Sequence, residues 1–190
     1  MKKIALAAML SFFGATANAA LLTFDDIPGQ ANQQYGHAET YQGFAFNRTL
    51  DWINLVDMYW TLGAHSGSYA LLNNYGGPGI VTKVGGGDFT FDGLYAKVWL
   101  YNQVRAGTVE GYKDGALVWS ITQEIQNVDY VSFGAKSGLI DTLKLDLGDH
   151  FLVDDLALDQ PAQHDVPEPA SLALFGLALA GLAATRRKQA

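Results

Sequence analysis

The chain has 190 residues, carries 12 Lys and Arg against 19 Asp and Glu for a formal charge of −7, and contains no cysteine. That length allows one ordinary domain with appendages, and the missing cysteines exclude a disulfide framework. An acidic balance with no basic stripe argues against binding nucleic acid or an anionic membrane surface.

The first element is an export signal. Lys2 and Lys3 precede an apolar run at residues 4–13, and Ala17 and Ala19 put small residues where signal peptidase reads the chain. A positive start, a short apolar stretch and an A-x-A-like site together make a removable signal peptide, too short to span a membrane. Residues 1–19 are therefore expected to be cleaved off, leaving Ala20 as the new terminus.

Residues 20–165 form the passenger, with 7 Lys and Arg against 18 Asp and Glu, a net charge of −11. Short apolar runs predict strands at 21–24, 41–46, 69–72, 80–84, 89–91, 94–101, 108–112, 117–122, 130–133, 139–145 and 151–158. Several alternate with period two, such as Val109 and Gly111 against Glu110 and Tyr112, or Leu143 and Leu145 against Lys144 and Asp146. Asp114-Gly115 is a hairpin signal, because both positions of such a turn need positive φ. Gly-rich stretches at 73–79 and 85–88 read as loops, and residues 28–39 as a polar loop. Residues 50–62 are open between a bent strand, a strand pair and a helical turn. Regular short strands without helical periodicity indicate an all-β, antiparallel sandwich or barrel. The domain is expected to span residues 20–160.

Residues 161–169 make a Pro-containing linker that includes Pro167-Glu168-Pro169. Residues 170–184 are then an uncharged run, followed by Arg186, Arg187 and Lys188. Fifteen residues are fewer than the roughly 20 of a full span. Their composition still favours insertion as a transmembrane segment at 170–190, with the basic residues held on the cytoplasmic side of the inner membrane.

Val166-Pro167-Glu168-Pro169, the apolar run and the basic end, in that order, resemble the PEP-CTERM sorting signal of Gram-negative bacteria. Proteins of that kind are substrates of exosortase, a membrane-bound cysteine transpeptidase, and are associated with exopolysaccharide and biofilm matrix. The resemblance implies signal peptidase and exosortase as partners and Pro167-Glu168-Pro169 as the recognition element. It also implies a transient stay in the inner membrane before the cell surface or extracellular matrix. It concerns a route, not an activity.

Three passenger segments resemble jelly-roll carbohydrate-binding modules: Leu22 to Asp26, Ala64 to Leu71 and Phe151 to Leu156. That likeness implies a β-sandwich of jelly-roll type, and a structural Ca²⁺ where the first and last strands pair. Asp25, Asp26, Asp154 and Asp155 are the candidate ligands, since calcium takes about six to eight oxygens from carboxylates and carbonyls. Their alternative role is as solvated turn and strand-end residues.

Sugars present C–H faces that pack on aromatic rings, so Trp52, Tyr59, Trp60 and Tyr75, in or beside the irregular segments, are the candidate ligand-binding residues. Asn54, Asp57, Asn73 and Asn74 could add hydrogen bonds. Trp52 and Trp60 have core positions as their alternative, and Trp99 and Trp119, alternating within strands, read as structural. The histidines (His37, His65, His150, His164) show no metal or hydrolase spacing, and His65-Ser66 reads as a turn. The sequence thus points to a non-catalytic protein that binds polysaccharide. A glycan-active enzyme, with paired carboxylates hidden among the 18 acids, and a purely structural matrix subunit are the alternatives.

Overall fold

A computed structural model describes residues 20–30, 33–56, 63–99 and 104–159. The chain divides into two compact units, Met1–Gln160 and Pro161–Ala190, and the described residues all belong to the first. They form thirteen strands. In order these are β1 (Ala20–Leu22), β2 (Tyr35–His37), β3 (Thr40–Tyr41), β4 (Phe44–Phe46), β5 (Leu50–Asn54), β6 (Tyr69–Asn73) and β7 (Gly79–Lys83). There follow β8 (Phe89–Val98), β9 (Val104–Lys113), β10 (Ala116–Gln126), β11 (Val131–Ile140), β12 (Thr142–Asp146) and β13 (Phe151–Leu158).

Two antiparallel sheets stack as a sandwich. One has the order β11-β8-β13-β6-β5-β2, with β1 added against β13, and the other has the order β10-β9-β12-β7-β4-β3. From β6 to β9, and again from β10 to β13, each successive strand lies in the opposite sheet. That alternation is the jelly-roll pattern. The first and last strands pair as expected, with Ala20 opposite Leu158 and Leu22 opposite Leu156.

Local chemistry explains where the strands break. The expected strand 41–46 is a hairpin, β3–β4, because Gln42 (φ 50°) and Gly43 (φ 85°) turn the chain between Tyr41 and Phe44. Asp114 (φ 50°) and Gly115 (φ 77°) make the turn between β9 and β10. Two strands expected at 89–91 and 94–101 are one, β8, which runs through Gly93 without breaking its pairing to β11. The polar stretch 28–39 contains β2, which pairs with β5. Residues 57–62, the signal peptide at 1–19 and the sorting tail from residue 160 onward lie outside the described residues.

The core between the sheets holds Phe24, Phe89, Phe91, Phe133, Phe151 and Trp119, all buried. Phe91 packs tilted on Trp119 at 5.0 Å, and Phe44 meets Phe89 edge-on at 5.3 Å. Each such side chain contributes about 1.5–3 kcal/mol by leaving water. A smaller cluster of Ile53, Leu55, Ala70, Leu72 and Leu152, flanked by Trp99 and Tyr130, uses the other parity of β5, β6 and β13. The first sheet is therefore buried on both faces at its centre.

Candidate functional site

Among the described residues, two groups of polar side chains lie at surface hollows. The first is a latch where the first and last strands of the sandwich meet residues 65–69, ahead of and at the start of β6. Asp25, just past β1, accepts the backbone N–H groups of Ser68 (2.7 Å) and Tyr69 (3.1 Å) on one oxygen. Asp154, in β13, accepts N–H from His65 (2.8 Å) and Ser66 (2.9 Å) on one oxygen and from Asp155 (2.7 Å) on the other. Asp155 accepts the Ser66 hydroxyl at 2.6 Å and lies 2.6 Å from His65 Nδ1. Gly67 at the loop's tip has φ 56°, and a Cβ there would sit 2.1 Å from an Asp25 carboxylate oxygen. Asp26 leaves this group, since its carboxylate accepts the Tyr41 hydroxyl instead.

Asp154 is fully buried, and its burial pushes its pKa up to about 7 despite the three N–H donors. Burial, with the nearby Asp154 and Asp155 charges, likewise raises the Tyr130 phenol. Among the described residues, no three His, Asp or Glu side chains group to hold a metal. Ser66 gives its hydroxyl to Asp155 and not to an imidazole, while the His65 ring stacks on Tyr95 at 3.6 Å. These residues tie a loop to a strand; they are not wired as nucleophile and base. A hollow of about 520 Å³ lies beside them, lined partly by Leu21, Leu94, Phe133 and Ala157. Its imidazole and the Asp155 carboxylate already satisfy each other.

The second place is a polar depression of about 410 Å³ lined by Asn74, Tyr75, Gly76, Gly77, Asp149 and His150. Buried Asn73, the last residue of β6, shapes it. Its side chain donates to Gly77 O (3.0 Å) and accepts from Gly76 N–H (3.2 Å), and its carbonyl accepts Trp99 Nε1 (3.0 Å). Trp99 in turn packs edge-on against His150 at 5.0 Å. Tyr75 stands on the rim, 62% exposed. A hydrogen bond to Asp51 raises its phenol pKa, and the nearby Tyr35 adds to the shift. Asp51 is buried on β5, with His37 Nδ1 at 3.4 Å.

Of the aromatic residues expected to bind ligand, Tyr75 alone is seen at a surface site. Trp52 is a correction: it is 4% exposed, belongs to the core and packs edge-on to Tyr69 at 5.9 Å, so neither ring face is open to a sugar. Tyr59, Trp60 and Asp57 lie outside the described residues, as do Ala17, Ala19, Val166, Pro167, Glu168, Pro169, Arg186, Arg187 and Lys188. Asn54 and Asn73 are spent on local bonds, whereas Asn74 lines the depression. Asp149, His150 and Tyr35 were missed by the sequence reading. The first two occupy the turn Gly148-Asp149-His150 between β12 and β13, and that turn was the available signal.

Residues 165–188 match the PEP-CTERM protein-sorting motif. The chain therefore carries a C-terminal membrane-anchoring sorting signal of the type found on exported proteins of Gram-negative bacteria. No curated protein matches the chain in sequence. Among solved structures it is similar to the CBM22-1 xylan-binding domain of Paenibacillus barcinonensis Xyn10C, at 14% identity and a TM-score of 0.42, over 65% of this chain and 90% of that one. It is also similar to TmCBM61 in complex with beta-1,4-galactotriose, at 12% identity and a TM-score of 0.37, over 64% and 90%. A third is the family 11 carbohydrate-binding module of Clostridium thermocellum Lic26A-Cel5E, at 7% identity and a TM-score of 0.34, over 79% and 99%.

Proposed function

We propose that this is an exosortase-sorted surface or matrix protein whose sandwich binds polysaccharide without turning it over. One observation supports the reading above the others: Tyr75, 62% exposed, stands at the rim of a polar depression. An exposed aromatic ring offers a face to the C–H side of a sugar, and Asn74, Asp149 and His150 supply hydroxyl partners around it. The volume lies within the range of about 300–1,000 Å³ typical of small-ligand sites. A glycan array probed with the passenger and with Tyr75→Ala tests this. Signals lost in the variant support the reading, and a blank array favours a purely structural matrix subunit. Shortened products would reveal a glycan-active enzyme.

Calcium is proposed as a clamp at Asp25 and Asp154, with Asp155 beside them. The donor chemistry fits a hard cation, and buried Asp154 has no positive partner among the described residues to offset its lost hydration. With no side-chain triad among the described residues, an ion here would take its remaining oxygens from backbone carbonyls of the loop. It would supply charge neutralisation and link the first and last strands of the sandwich.

A further inference from the structure

The charge around the Tyr75 depression narrows the polymer it takes, and the narrowing rests on the polysaccharide-binding reading above. Asp149 lines the depression with its carboxylate oxygen 3.5 Å from where a Cβ on Gly76 would stand, and it has no partner among the described residues. The charge of buried Asp51 also reaches the Tyr75 phenol. Among the described lining residues there is no Lys or Arg, and the histidine present, His150, is packed edge-on against Trp99. The passenger around the site is at −11.

From this complementarity we infer that the depression binds a polysaccharide bearing free amino groups, a hexosamine polymer that is at least partly de-N-acetylated. The ring face of the sugar stacks on Tyr75, whose π-face also attracts a cation. The ammonium pairs with Asp149, which lines the depression without a partner among the described residues. A uronic-acid polymer would bring like charge against Asp149 and Asp51 and is excluded by the same field. A fully N-acetylated chain keeps the stacking and loses the ion pair.

The test is binding of three probes to the full chain in detergent, at low salt and mildly acidic pH. The probes are a β-1,4-linked glucosamine hexamer, its fully N-acetylated counterpart and an oligogalacturonate. The expected order is glucosamine over N-acetylglucosamine, with no uronate binding. Asp149→Asn should weaken the glucosamine hexamer by about two- to fivefold, the range of an exposed ion pair, and leave the acetylated hexamer unchanged. High salt should erase the same margin, and Tyr75→Ala should weaken both hexamers. Equal affinity for the two hexamers, an Asp149→Asn variant without effect, or uronate binding overturns the inference while leaving the Tyr75 site standing. Tyr75→Ala without effect on any bound probe, or no binding of any probe, overturns the site itself.

Discussion

Gly67 carries more of the architecture than its size suggests. It sits at φ 56°, where only glycine is at ease, and its missing Cβ is the space that the Asp25 carboxylate occupies. Gly67→Ala should destabilise the sandwich by about 1–3 kcal/mol, from strain and from displacing Asp25. Gly86→Ala, at φ 83° with nothing within 4 Å, should cost only the backbone term, about 1 kcal/mol or less. Urea unfolding of the two variants separates these effects, and equal losses would mean that the Asp25 contact contributes nothing. A second pair of variants divides core from site. Trp52→Ala removes a buried ring and should cost about 3–5 kcal/mol. Tyr75→Ala removes an exposed one and should stay within about 0.5 kcal/mol of the parent while losing glycan. If Tyr75→Ala instead unfolds the protein, Tyr75 is structural and the ligand role fails.

At the scale of elements, the pairing of β1 with β13 decides how the sandwich's first and last strands are held, and the proposed calcium clamp would act beside it. Folding linked to an ion gains about 2.7 kcal/mol at a hundredfold excess over Kd, and for a domain of this size that shifts Tm by roughly 5–10 °C. Thermal unfolding should rise by that amount in Ca²⁺ over chelator, and Asp154→Ala should abolish the difference. Identical midpoints would mean that the N–H groups of residues 65–69 satisfy the carboxylates unaided. How far these elements were legible follows from their burial. Strand β13 was readable to the residue, because its apolar run is bounded by Asp149-His150 and by Asp159. Strand β2 was hidden in a polar segment: it is an edge strand with no buried residue, so it leaves no period-two trace. Strand β10 extends past its expected end because Ile125 is buried beyond the polar Gln123 and Glu124. Trp52 misled because residues 50–53 of β5 are buried on both faces, which removes the alternation that separates core from platform. Tyr75 was readable from its Gly- and Pro-rich loop; for Asp149 the sequence offered only a turn, and it takes the fold to bring that turn to Gly76.

At the scale of the whole molecule, β13 joins the proposed site to the exit of the chain. It begins at Phe151, next to His150 in the wall of the depression, and ends at Leu158. Eight residues at about 3.3 Å each make roughly 26 Å. Asp159 then fixes the exit, accepting Thr90 N–H at 3.1 Å and pairing with Lys83 at 2.5 Å. The depression and the exit thus occupy opposite ends of one strand, with the two-sheet core alongside. Tethering by the tail should therefore leave binding untouched. Removing residues 166–190 deletes the motif matched at 165–188, the apolar run and the basic end, and with them the attraction to the bilayer. The truncated protein should appear in the soluble periplasmic or secreted fraction, and the mass change of sorting should disappear. Its affinity for a glycan should equal that of the full chain reconstituted in liposomes. A truncated form that stays with the membrane would show that the anchor lies elsewhere. A tethered form that binds more weakly than the free one would show that the anchored domain hides its depression.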